Sequence, residues 1–267
     1  ATGPVPSEEA LHFRKKRPPS WVIEQLQVQG NLFARLVTQL EKYVRLSPVN
    51  VPQVRARDAD DIEGAAALCR AEWGLRGDNP IAHMTRVLER AGACVGRFNL
   101  KDESVDAFSW FPLAVPHQRP LVMCNSSTES ATRNRYSLAH ELGHMVLHRG
   151  MVTGDTITEK EAHRFAGAFL LPKVAFFREF PRSRTRIHWE GLLEMKQRWG
   201  VSIQAILHRA SDLALLNSPS YRSAYVRLSQ LGWRKQEPEE PDLEVPELVQ
   251  SVVASLASRG ISPHSLA

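Results

Sequence analysis

His140-Glu141-Leu142-Gly143-His144 is the stretch from which the rest of this chain can be read. Positions i and i+4 lie on one side of an α-helix, so the two imidazoles can grip one metal ion, with bonds of ~2.0–2.1 Å for zinc. Glu141 is turned by ~100° from His140, which makes it a poor ligand but a well-placed base for a metal-bound water. Leu138, Leu142 and Met145 give the same helix an apolar face, over about 130–148. The bare pattern is short enough to arise by chance, but strand-like sequence before it and an acidic helix after it supply the context of a metallopeptidase.

Hydrolysis by a bound metal needs a third protein ligand and an open position for water. Two carboxylates stand in the next helix, about 157–171, which is stopped by Pro172. Ala162, Phe165, Ala166, Phe169 and Leu170 define its buried face; Glu159 lies nearer the centre of that face than Glu161, and is the expected ligand. Thr158 and Glu161 have the spacing of a capping box, which assigns Glu161 to the helix end. His148, at i+8 from His140, is ~12 Å along the axis; it is expected to be structural, with lining of the substrate cleft as the alternative. Cys124, at a strand end, is expected to be a buried neutral thiol rather than a contact of the metal. Arg133, Arg135 and Tyr136 are the candidates for stabilising an oxyanion, and the sequence does not rank them.

Around this site the 267 residues are 43% hydrophobic and 24% charged, which supports a folded core and excludes disorder as the main state. No run reaches the ~18 apolar residues of a membrane span, and a soluble, cytoplasmic protein is expected. Three cysteines, Cys69, Cys94 and Cys124, are too few and scattered for a disulfide framework or a thiolate metal cage. The net charge of +5 and a pI near 9.3 lean only weakly toward anionic partners. Apolar spacing predicts helices over 21–46 and about 59–73, and another opening at Asn79-Pro80 and ending at Gly92. Cys94–Phe98, Ala107–Trp110 and Leu121–Cys124 read as strands. Two helices, about 189–198 and 202–216, flank a turn at Gly200, and a short helix covers 246–257.

His140 to His144 followed by Leu147-His148, then Glu159-x-x-Ala162, Phe165-Ala166 and Leu170-Leu171-Pro172, closely resembles the ImmA/IrrE family of zinc metallo-endopeptidases. The similarity extends to Ala107-Phe108-Ser109, Pro120-Leu121-Val122, Asn125, Arg135, and Leu193-x-x-Lys196-x-x-Trp199-Gly200-Val201-Ser202, covering roughly 21–235. It implies an α+β, zincin-like fold and Zn²⁺ held by His140, His144 and Glu159, with Glu141 as the catalytic base. The substrate it implies is a helix-turn-helix repressor whose cleavage derepresses phage, mobile-element or stress genes. The family's Glu-x-x-Ala-Asn pattern is broken here by His163, to which three roles are open: a partner behind a ligand, an extra ligand, or a filled helix position.

The resulting layout is a flexible basic arm or linker (1–20), an N-terminal helical segment (21–56), the metallopeptidase domain (57–187), a helix-turn-helix-like region (188–235) and an acidic, Pro-rich tail with a short helix (236–267). The chain begins without Met, and family members often carry a fused DNA-binding domain at that end, so a longer native N-terminus is expected. The rival to the peptidase is a DNA-binding or sensory regulator, of the toxin–antitoxin type, that uses the fold as a scaffold. Its support is the helix pair around Gly200 and the basic loop containing Arg182, Arg184 and Arg186, which also predicts weak, salt-sensitive DNA binding.

Overall fold

In a computed structural model, which describes residues 19–75, 79–100, 105–111, 119–127, 129–151, 153–181 and 187–261, the chain has a mixed α+β fold. The elements in chain order are α1 (Ser20–Leu40), α2 (Ala59–Glu72), α3 (Met84–Arg90), β1 (Cys94–Phe98), β2 (Ala107–Trp110), β3 (Leu121–Asn125), α4 (Ala131–Leu147), α5 (Thr156–Leu170), α6 (Lys173–Glu179), α7 (Trp189–Trp199), α8 (Ile203–Asp212), α9 (Ser218–Gln230) and α10 (Leu248–Ser258). The described strands form one sheet of order β1-β3-β2, with β1 parallel and β2 antiparallel to the central β3.

Because side chains alternate along a strand, the sheet has two apolar faces. Phe98, Phe108, Trp110, Leu121 and Met123 meet Val22, Leu26 and Val37 of α1. Val95, Ala107, Val122 and Cys124 face the larger core built on α4 and α5. Ser109 shares this second face, since it lies two residues from Ala107 and opposite Val122. The alternation thus places one hydroxyl over the helix that carries His140 and His144.

Every residue of α4 except Arg133 is buried. Its closest neighbour is α5, and Gly143 is where they touch: a Cβ there would lie 3.1 Å from the backbone of Ala162 and 3.2 Å from the Cβ of Phe165. Without a side chain at 143, the two helices approach near backbone contact, which brings the residues one turn to either side within reach of each other.

Two helix boundaries and one cap differ from the sequence expectation. The first helix stops at Leu40 rather than continuing to residue 46, because the buried Arg119 takes Glu41 at 2.8 Å and the Ser47 carbonyl at 2.9 Å, which turns the chain off its axis. Asn79-Pro80 does not open α3. The carbonyls of Asn79, Ile81 and Ala82 are occupied by the guanidiniums of Arg70 and Arg135, and the helix starts at Met84 with His83 as its cap. The cap of α5 is Asp155, which accepts from the N–H groups of Ile157 and Thr158; Glu161 takes no part in it.

The stretch expected as an acidic tail runs along the molecule and is held at regular intervals. Glu237 accepts from Lys196 Nζ at 3.1 Å and from the first N–H groups of α8, Ile203 and Gln204. Glu240 accepts from the same ammonium at 2.6 Å and from Ser130 Oγ and the Thr132 N–H at the start of α4. Glu244 meets Arg135 and the Thr85 N–H of α3, and Glu247 pairs with Arg86. Anionic oxygens are thereby placed at helix N-termini, where unpaired N–H groups and the helix dipole favour them.

Candidate metal centre

At the α4–α5 crossing, three side chains point at one another. His140 Nε2 and His144 Nε2 are 3.1 Å apart, Glu159 Oε2 is 3.3 Å from the first, and Glu159 Oε1 is 3.3 Å from the second. Both oxygens of Glu159 are buried, and neither has a hydrogen-bond donor among the described residues. Two imidazoles with a bare carboxylate between them form a donor set that asks for a cation.

Glu141 stands beside this cluster. It accepts the Ser109 hydroxyl on Oε2 at 2.6 Å and is 1% exposed. Burial pushes its carboxyl up to about 8, against the hydrogen bonds from Ser109, with the charge of Glu159 adding to the rise. Ser109 was not singled out as a site residue. In the sequence it stands in the Ala107-Phe108-Ser109 stretch of the family resemblance, a small hydroxyl in an otherwise apolar strand, on the face that alternation turns toward α4.

His163 lies one turn beyond Glu159 on α5. Its ring is 4.4 Å from that of His140, and ring nitrogens of His140 and His163 with a Glu159 oxygen fall within 4.8 Å of one another. Two overlapping triads therefore share His140 and Glu159. The one completed by His144 has all three edges near 3.2 Å and is the tighter. Tyr136 serves His163, stacking on its ring at 5.9 Å and donating its hydroxyl to its carbonyl at 3.0 Å. His208, which the sequence reading passed over, places its ring 6.4 Å from that of His163 and pairs with Asp212.

Other candidates stand apart. Arg135 is turned to the carbonyls of Ile81 and Ala82 and to Glu244, and Arg133 pairs with Asp106. Cys124 is a buried thiol, pushed up to about 12 by burial and by the charge of Glu141. His148, 3% exposed, sits between His144 and Glu161 instead of lining a cleft. Arg182, Arg184 and Arg186 lie outside the described residues. In the helix pair around Gly200, α8 is packed against α5, α7 and α9. Its arginine, Arg209, is fully buried on Glu63 and the Leu171 carbonyl, so α8 turns no Lys or Arg side chain outward.

A small mixed sheet backed by a buried helix, with two histidines and a glutamate meeting at a helix crossing, defines a metallopeptidase-type domain. Residues 88–211 match the IrrE N-terminal-like domain (Peptidase_M78), a family of metal-dependent peptidases. No curated protein matches the chain. No helix among the described residues is long and apolar enough to cross a membrane.

Proposed function

We propose that this chain is a zinc endopeptidase that cleaves a helix-turn-helix repressor, with His140, His144 and Glu159 holding the metal and Glu141 acting as the base. The observation that carries the proposal is the spacing of the three donors. Zinc bonds of ~2.0–2.1 Å in a tetrahedral site put ligand atoms about 3.3 Å apart. The separations here are 3.1, 3.3 and 3.3 Å, and the carboxylate oxygens have no other donor among the described residues. Three protein donors leave a fourth position open, as hydrolysis requires.

Zinc, when bound, supplies Lewis acidity that lowers the pKa of a water toward ~7 and polarises the scissile carbonyl. The remaining steps belong to the chain's own groups. Ser109 Oγ–H stays on Oε2 of Glu141 and fixes the rotation of the carboxyl, leaving Oε1 to take the proton from the attacking water. The same carboxyl then delivers that proton to the departing amide nitrogen. The repressor as substrate rests on the family resemblance alone. The alternative, a regulator using the fold as a scaffold, is weakened by a base held in place by Ser109 and by the lack of an outward Lys or Arg on α8.

The test is incubation of purified protein with the repressor encoded beside it, with zinc and with chelator. Cleavage should need zinc, and Glu141→Gln should keep the metal while turnover falls by about 10²–10⁴. Full cleavage in the chelator arm, or undiminished turnover in Glu141→Gln, rejects the assignment.

A further inference from the structure

We infer that His148 and Glu161 form a relay that fixes His144 in its metal-binding tautomer, so that zinc affinity is set partly from outside the ligand set; this rests on the zinc assignment above. Nδ1 of His144 lies 3.0 Å from Nδ1 of His148, and Nε2 of His148 lies 2.8 Å from Glu161 Oε2. Two ring nitrogens that face each other bond only if one carries a proton and the other a lone pair. The choice is forced at both ends. His144 Nε2 faces His140 and Glu159, where a ligand must offer a lone pair, so its proton is on Nδ1 and is donated to His148. His148 then accepts at Nδ1 and carries its own proton on Nε2, which is donated to the carboxylate.

Every donor in this chain meets an acceptor. In the reverse order a proton would sit on His144 Nε2, aimed into the cluster, and the lone pair of His148 Nε2 would face a carboxylate. A ligand histidine held through its second nitrogen is oriented and made more basic, and a carboxylate at the end of the relay strengthens both effects. Position favours the role as well. His148 is the buried residue that ends α4, its N–H bonded to the His144 carbonyl at 2.9 Å, so its ring is held against His144 by the end of α4 and meets Glu161 from α5. Because Asp155 caps α5, Glu161 is left to His148.

The experiment measures zinc affinity by chelator competition in the full chain, for wild type, His148→Leu, His148→Gln and Glu161→Gln, alongside the melting temperature of each metal-free protein. His148→Leu should weaken zinc about 10–100-fold and Glu161→Gln about tenfold. His148→Gln should recover most of the loss, because its amide can accept from His144 and donate to Glu161. Melting of metal-free Glu161→Gln should match wild type, which separates positioning of a ligand from general stability. The visible spectrum of the Co²⁺-loaded protein should change in His148→Leu and return toward wild type in His148→Gln.

Zinc bound with equal affinity by wild type and Glu161→Gln overturns the relay and leaves the zinc site standing. If His148→Leu does not fold, Glu161→Gln and His148→Gln decide the matter by the same measurements. Wild type that binds no zinc overturns the zinc assignment, and the relay with it.

Discussion

Two sets of carboxylates withdrawn from solvent, Glu237 with Glu240 and Glu159 by itself, differ in how their charge is answered. Glu237 and Glu240 are saturated: Lys196, itself wholly buried, reaches both, and backbone N–H groups of α8 and α4 take the remaining lone pairs. Burial works against the charge of Glu240, yet Lys196 and the Thr132 N–H hold its carboxyl below the usual glutamate range. Glu159 has two imidazole nitrogens at 3.3 Å and no hydrogen-bond donor among the described residues. A saturated carboxylate belongs to the architecture; a bare one, buried among lone pairs, is kept for something the chain does not itself supply.

The largest effect should come from unbalancing the saturated group. Lys196→Met leaves Glu237 buried without its cation and should cost about 3–5 kcal/mol in a urea unfolding titration. A loss below 1 kcal/mol would mean that the backbone donors alone answer the charge, and the contrast would fail on that side. Glu159→Gln should behave in the opposite way. Zinc affinity should fall more than about 100-fold, whereas metal-free stability should change by less than about 1 kcal/mol, because no donor is lost. Comparable destabilisation of the metal-free protein would show that Glu159 is structural too.

Gly143→Ala tests what holds the bare carboxylate in range. A methyl group 3.1 Å from the Ala162 backbone must spread α4 from α5, at about 1–3 kcal/mol, and zinc affinity should drop with it. The smallest effect is the pH response of Glu240. Its carboxyl is held below the ordinary glutamate range, so its contribution to stability is complete above that range and fades as pH falls through and below it. Chemical denaturation between pH 7 and 3 should show a decline that is shallower in Glu240→Gln.

What was legible in the sequence is what a local period writes. The strands Cys94–Phe98 and Ala107–Trp110 appear as expected because every residue of β2 and nearly every one of β1 is buried, so each reads as an apolar run between turns. His140 and His144 declare themselves through helix geometry, and Gly200 marks the end of α7 because its backbone is left-handed, at φ 62°. Helix α9 escaped notice because Ala224 and Leu228 are the only buried residues it offers, although Asn217 and Pro219 signal its start. Ser109 with Glu141, and Glu240 with Thr132, are pairings of common residue types 32 and 108 positions apart. No spacing rule joins them, and only the folded chain does. The misassigned Glu161 shows the converse: the local capping pattern was present, but Asp155 competed for the same N–H groups and prevailed.

The glutamates of 237–247 also impose an order on how this protein is made. The N-terminus of α4 is closed by a residue 108 positions downstream, and that of α3 by one 159 downstream. At about 5–20 residues per second, translation leaves the metal-binding helix unlatched for on the order of ten seconds after it leaves the ribosome. The nascent chain thus carries both histidines and Glu159 well before Glu240, which closes the first turn of their helix, is synthesised.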